Sequence, residues 1–313
     1  MTRVAAVDCG TNSIRLLVAD VDASGRLVDV VRRMEVVRLG HGVDRTGHIA
    51  PEAMARTLAM CRTYADQCRD AGVEHVRFVA TSASRDADNA AEFVAGVESA
   101  FGDLHVTPEV VSGAEEARLS FRGATGDLVA AGIPAPYVVV DLGGGSTEVV
   151  RGSSSVQAAR SVDIGCVRLT ERHLRSDPPA PEEVDAAVAD IGAALDVVEE
   201  TVDLSGVATL VGLAGSVTTV TAYALGLAAY DPEAIHLSVL PPDRVARACD
   251  ALLHMTRVER SALGFMHPGR VDVIGSGALV WREVVARIVR RSGTRRIVTS
   301  EHDILDGVAL SIA

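Results

Sequence analysis

Short apolar runs alternate with stretches of helical periodicity along this chain, and the alternation starts afresh near its middle. Arg3 to Asp8 and Ile14 to Val21 read as strands, and Arg26 to Leu39 as a longer third strand after the turn Asp22-Ala23-Ser24-Gly25. Beyond a glycine-containing loop, Pro51 stands where a first helical turn tolerates proline. Met54, Leu58, Cys61, Ala65 and Cys68 then recur at helical spacing as far as Gly72. The pattern next predicts a strand over Val76 to Ala80, a helix over Asp86 to Phe101 stopped by Gly102, a strand over His105 to Val111, and a helix from Ser112 to about Phe121. From Tyr137 the order repeats: a strand, a glycine turn, a strand over Thr147 to Arg151, and a third over Val156 to Val162. Glu182 and Glu183 open a helix after the proline-rich loop, Val207 to Leu213 is an apolar strand, and Gly215 begins another helix. A long helix over about Val271 to Arg291, a strand over Arg296 to Thr299 and a short final helix close the chain. Strands alternating with helices define the α/β class. Gly and Pro accumulate over Gly123 to Pro136, which predicts domains at 1–125 and 126–302, with the C-terminal helix 303–313 joining the first.

Two glycine turns carry the candidate chemistry. Asp8-Cys9-Gly10-Thr11-Asn12-Ser13 and Asp141-Leu142-Gly143-Gly144-Gly145-Ser146 both read D-x-G-x-x-S, and each lies between two apolar runs. Glycine lets backbone N–H groups approach an anion, hydroxyls add donors, and an Asp at a strand end suits a metal ion. Either copy alone reads as an ordinary hairpin, with Asp8 capping its turn. The repeat at identical spacing instead suggests two similar domains holding one phosphate from either side.

Composition narrows the partners. A net charge of −12 argues against broad affinity for nucleic acid or anionic membrane, so positive charge must be local or come from a metal. All thirty basic residues are Arg, which suits bidentate phosphate contacts but also follows from genome composition. Five cysteines without a CxxC pair read as reduced thiols of a cytosolic protein, with Cys61 and Cys68 on one buried helical face. The nine histidines are scattered, with no HExxH or Cys/His cluster, so no zinc site is expected. The chain opens on a strand rather than a signal peptide and has no apolar run long enough to span a bilayer, so a cytoplasmic protein is expected.

Seven segments carry a family resemblance: DCGTNSIRLLV (8–18), TSASRDADN (81–89), SGAEEARLSF (112–121), VVDLGGGSTEVV (139–150), GCVRLTE (165–171), AGSVTT (214–219) and, more loosely, SEHDILDGV (300–308). In order and content they resemble the exopolyphosphatase/guanosine pentaphosphate phosphohydrolase family. The resemblance implies two ribonuclease H-like domains of the actin, sugar-kinase and Hsp70 superfold with a cleft between them. It also implies Mg²⁺-dependent removal of terminal phosphate from polyphosphate, with Mn²⁺ as an alternative cation. By resemblance, Glu116 is the base that activates water and Arg85 contacts the phosphate chain. A homodimer is the expected assembly.

The residues supply reasons of their own. Phosphoanhydride cleavage needs charge neutralisation, an in-line water and a group to orient it. Gly10, Thr11, Asn12 and Ser13, with Gly143, Gly144, Gly145 and Ser146, offer fixed donors for phosphoryl oxygens. Asp141 and Glu148, with Asp8, carry oxygen ligands suited to Mg²⁺. If Glu115 caps its helix, Glu116 is left to face substrate; as a plain reading, both acids favour the helix dipole. Arg15 reads equally as a phosphate ligand or a surface charge, and Thr81 to Arg85 reads on its own as a small-residue turn. Gly215 and Ser216 form a strand-to-helix junction of the kind that binds anions, and Ser216 reads equally as a helix N-cap. Arg287, Arg290, Arg291, Arg295 and Arg296 complement a helix terminus or, less simply, track a polyanion.

Hydrolysis of polyphosphate, with short chains favoured because the helical extension of longer family members is absent, is the expected function. Guanosine pentaphosphate is the alternative substrate. A kinase of the same superfold or a silent polyphosphate sensor belongs to another class; no adenosine-type Gly-Gly signature is evident, and Glu116, Asp141 and Glu148 argue against silence. Hinges are expected near 123–126 and 300–303.

Overall fold

A computed structural model describes residues 2–22 and 26–312, so Ala23, Ser24 and Gly25 of the expected turn lie outside the described residues. The chain divides into two compact units, residues 1–123 with 304–313 and residues 124–303.

In unit 1, strands β1 (Thr2–Cys9), β2 (Ser13–Val21), β3 (Leu27–Val36), β4 (His75–Ala80) and β5 (Glu109–Val110) form one sheet in the order β3-β2-β1-β4-β5. The first three strands are an antiparallel meander, and β4 and β5 run parallel to β1. Helices α1 (Val43–Thr46), α2 (Pro51–Asp70), α3 (Ser82–Asp86) and α4 (Ala90–Phe101) follow the meander, then α5 (Gly113–Ala130). Ala5, Val7 and Cys9 pack on Cys61, Ala65 and Cys68 of α2 and on Phe93 and Val97 of α4. Val4 and Ala6 pack on the other face against Ile304 and Val308 of the last helix, Ile304–Ile312. β1 is covered on both faces, so its sequence is a continuous apolar run rather than an alternation.

Unit 2 repeats the plan. β6 (Tyr137–Leu142), β7 (Thr147–Gly152) and β8 (Val156–Val162) form a second meander, and β9 (Thr209–Leu213) joins β6 in parallel. β10 (Val239–Leu240) and β11 (Ile297–Thr299) complete the order β10-β11-β9-β6-β7-β8. Its helices are α6 (Cys166–Arg172), α7 (Pro181–Glu199), α8 (Ala214–Leu225), α9 (Pro232–Ile235), α10 (Pro242–His254), α11 (Arg257–Ser261) and α12 (Ile274–Ser292); the chain then ends on α13 (Ile304–Ile312) of unit 1. Trp281 and Val284 of α12, Leu252 of α10 and Ile191 of α7 belong to its core. Both sheets thus share the ribonuclease H-like strand order 3-2-1-4-5, and the expected fold class is observed.

Several elements differ from the sequence pattern. The helix expected over 86–101 breaks at 87–89, because the Asn89 side chain bonds both backbone groups of Ile49 and the Asp88 N–H donates to Gly47. The strand expected over 105–111 shrinks to two residues, since His105 is left-handed (φ 49°) and Pro108 has no N–H to give a ladder. The helix expected to stop near Phe121 runs to Ala130, through Gly123 and Gly126. Ala117, Phe121, Ala124 and Leu128 are buried at helical spacing, which outweighs about 1 kcal/mol of helix propensity lost at each glycine. Residues 226–270, to which the pattern assigned no element, hold α9, β10, α10 and α11. No described helix is long and apolar enough to cross a membrane.

Candidate active site

The two glycine turns close in the same way. Gly10 N–H donates to Ser13 O at 2.9 Å, and Gly143 N–H to Ser146 O at 3.0 Å. In each unit the turn's carbonyls are taken by the segment after the third strand. In unit 1 the amides of Val37 and Arg38 bond Asn12 O, and Gly40 N–H bonds Thr11 O. In unit 2 Cys166 N–H bonds Gly143 O, Val167 and Arg168 N–H bond Gly144 O, and Arg168 Nε bonds Gly145 O. Gly165 makes this approach possible, since a Cβ there would lie 2.4 Å from Gly144 O. With the carbonyls fixed behind, the N–H groups of Thr11, Asn12, Gly144 and Gly145 have no protein acceptor among the described residues. Amides held in this way form an anion cradle.

In unit 1 the turn stands at the C-terminal end of β1, beside the ends of β4 and β5: Thr81 N–H bonds Cys9 O and Val111 N–H bonds Ala80 O. Strand C-termini of open α/β sheets are where ligands bind. Thr11 Oγ1 and Ser84 Oγ are buried hydroxyl oxygens with no hydrogen-bond partner, the condition expected of groups that await a ligand. The base candidate Glu116 is 7% exposed in the first turn of α5. Arg85 at the end of α3 donates to Glu116 Oε2 at 3.1 Å and to Val111 O at 2.9 Å, so the proposed phosphate contact also holds the carboxylate of the proposed base. The helix is capped by Ser112, whose Oγ accepts Glu115 N–H, so the condition of a Glu115 cap is not met. Glu115 instead pairs with Arg118 and Arg77. Arg15, equally a surface charge in the sequence reading, bonds Asp8 Oδ2 through Nε at 3.0 Å and Nη2 at 2.7 Å. The two residues are direct cross-strand partners, so Asp8, expected among the metal ligands, holds a guanidinium.

In unit 2 the equivalent cross-strand pair is Asp141 and Glu148, 7% and 1% exposed. Directly opposed residues of an antiparallel ladder project from one face a few ångströms apart. Ser161 of β8, opposite Glu148, donates to Glu148 Oε1 at 2.6 Å. Two adjacent buried carboxylates beneath an amide-lined turn form a hard, all-oxygen donor set. That set fits Mg²⁺, which needs only one or two carboxylates and keeps water for its other positions.

The junction of β9 and α8 differs from expectation. Leu213 is the N-cap residue of α8, and Ala214 is left-handed with φ 69°. Ser216 lies inside the helix as a buried residue, so it is not the cap. Gly215 is required here, because a Cβ would meet the Arg270 guanidinium, 2.2 Å from Cζ. Arg270, which the sequence reading missed, lies over the start of a helix, and its guanidinium makes no hydrogen bond or ion pair among the described residues. No local pattern marks it; only packing on Gly215 brings it there. Two arginines of the 287–296 segment are paired: Arg287 bonds Asp196 and Glu199 of α7, and Arg291 bonds Glu199, whereas Arg290, Arg295 and Arg296 are exposed. All five cysteines are buried free thiols, and burial pushes Cys61 and Cys68 up to about 12.

The sequence matches the profile of the Ppx/GppA phosphatase family over residues 17–312. It is 52% identical over 318 residues to exopolyphosphatase 2 of Mycobacterium tuberculosis, covering 100% of this chain and 99% of that protein. Among solved structures, an exopolyphosphatase-like protein has a TM-score of 0.95 at 44% identity, with 100% of this chain and 98% of that chain covered. The PPX-GPPA enzyme of Aquifex aeolicus has a TM-score of 0.80 at 29% identity, with 99% of each chain covered. The chain belongs to the Ppx/GppA phosphatase family.

Proposed function

From this membership we propose that the protein is an exopolyphosphatase, removing terminal phosphate from inorganic polyphosphate with water as acceptor. The observation that supports it most is the amide-lined turn above the opposed Asp141 and Glu148, in a chain 52% identical to an exopolyphosphatase. In unit 2 the amides of Gly144 and Gly145, with Ser146, supply donors for phosphoryl oxygens, and in unit 1 the amides of Thr11 and Asn12 supply donors of the same kind. These donors are fixed before substrate arrives, so they stabilise developing charge without reorganising. Asp141 and Glu148 would hold Mg²⁺, which when bound neutralises phosphate charge. Glu116 orients the attacking water and accepts its proton, and Arg85 fixes that carboxylate's rotamer. Arg270 is a further cation for phosphate at the start of α8.

Short chains are the expected better substrates. Arg287 and Arg291 are engaged with acidic residues of α7, which leaves only Arg290, Arg295 and Arg296 of that segment for a long polyanion. Guanosine pentaphosphate, the same anhydride on a nucleoside, is the alternative substrate.

Phosphate release from polyphosphate of defined lengths, with guanosine pentaphosphate and ATP as comparators, tests the reading. Glu116→Gln is expected to retain polyphosphate binding while turnover falls roughly 10²-fold or more. Near-normal turnover removes Glu116 from the mechanism. Polyphosphate binding without any phosphate release by the parent enzyme under Mg²⁺ overturns the hydrolase reading.

A further inference from the structure

Asp127, His236 and His302 converge within unit 2, and no role in phosphate chemistry absorbs them. Asp127 lies on α5, His236 ends α9, and His302 follows β11 in the segment 300–308. His302 Nδ1 is 2.5 Å and His236 Nε2 is 3.5 Å from the same oxygen, Asp127 Oδ2. The two imidazole rings are tilted at 46° with centroids 4.7 Å apart. One ligand atom from each residue lies within 4.8 Å of the others, the one such group among the described residues.

We propose that Asp127, His236 and His302 form a binding site for a borderline divalent transition metal of the zinc class, distinct from the carboxylates at Asp141 and Glu148. Two imidazole nitrogens and one carboxylate oxygen favour Zn²⁺, Co²⁺ or Ni²⁺ over Mg²⁺. Bonds of about 2.0–2.2 Å at tetrahedral angles place ligand atoms roughly 3.3 Å apart. The His236–Asp127 separation is already close to this, and the His302–Asp127 contact must open by less than an ångström. Side-chain exposures of 40% at Asp127 and 39% at His302 leave room for the ion to enter and for water to complete its shell.

The backbone around the ligands is fixed in advance. Leu237, beside His236, is left-handed (φ 56°) and donates its N–H to Thr299 O at 2.8 Å. Ser300 Oγ accepts His302 N–H and donates to His302 O. A non-glycine residue held at positive φ is strain that the surroundings must impose, and it aims the preceding imidazole. One contact opposes the ion: Glu301 N–H donates to His236 Nδ1 at 3.2 Å, which keeps the ring's proton on Nε2. Metal binding at Nε2 moves that proton to Nδ1 and gives up the amide bond. The affinity is therefore below that of sites whose outer hydrogen bonds favour the ion.

The test is a Zn²⁺ titration of the full chain against a chromophoric competitor, in saturating Mg²⁺, alongside Co²⁺ absorption spectra and melting curves. Equimolar Zn²⁺ binding, a metal-induced rise in Tm and Co²⁺ bands of nitrogen ligation are expected. His236→Ala and His302→Ala should lose all three, and Asp141→Asn should keep them. His302→Gln preserves volume and a hydrogen bond to Asp127, so its expected loss of the ion with an unchanged metal-free Tm separates ligation from folding. Equal binding by parent and histidine variants, or loss of zinc in Asp141→Asn, overturns the proposal.

Discussion

In unit 1 the hairpin leaving Asp8 returns with Arg15 opposite it, whereas the corresponding hairpin of unit 2 sets Glu148 opposite Asp141. The backbone is the same in both: one turn hydrogen bond from glycine to serine, one carbonyl-tethering segment behind, one pair of amides without a protein acceptor. What differs is the residue seven positions after the aspartate. In unit 1 that residue compensates the aspartate within the sheet, so the turn presents amides over an internal ion pair. In unit 2 it adds a second carboxylate with its own hydroxyl donor, the arrangement suited to a hard cation. A duplicated strand-turn-strand unit has thus kept its anion cradle twice and divided the remaining electrostatics between its copies.

Exchanging the roles of the two aspartates is the strongest way to break this comparison. Asp141→Asn or Glu148→Gln should raise the Mg²⁺ concentration for half-maximal activity by on the order of 10²-fold, and Asp8→Asn should change it far less. Equal effects in Mg²⁺ titrations of the variants would erase the proposed division of labour. Next in size, Arg15→Gln leaves Asp8 buried without its guanidinium, and we expect about 2 kcal/mol of lost stability by denaturant unfolding. The double variant Asp8→Asn/Arg15→Gln should recover part of that loss, and simple additivity would show that the pair is not coupled. The smallest change is at Ser161, whose hydroxyl orients Glu148. Ser161→Ala should raise the Mg²⁺ concentration for half-maximal activity roughly tenfold while leaving KM for polyphosphate unmoved, and a shift in KM instead would place Ser161 on the substrate.

The duplicated turn, both meanders, α2 and the strand preceding α8 were legible because they rest on local signals: apolar runs, helical spacing, and proline or glycine at element ends. Arg85 was singled out, but its bond to Glu116 was not, since 31 residues separate them and two strand ends bring them together. From its place after a glycine Ser216 reads as a phosphate ligand and equally as an N-cap; the left-handed Ala214 starts α8 earlier and puts Ser216 inside the helix. Arg270 carried no signal at all, because its position depends on a glycine 55 residues away.

By itself the sequence determined the α/β class, the repeated D-x-G-x-x-S turns and the identity of the carboxylates, because periodicity and turn chemistry act over a few residues. Only the tertiary structure decided what stands beside each of those groups. Cross-strand register gave Asp8 an arginine and Asp141 a glutamate, and loop packing drew Asp127, His236 and His302 into one cluster. Contacts of that kind depend on how strands align and loops return, and those outcomes follow from burial of the whole core rather than from any short stretch of chain.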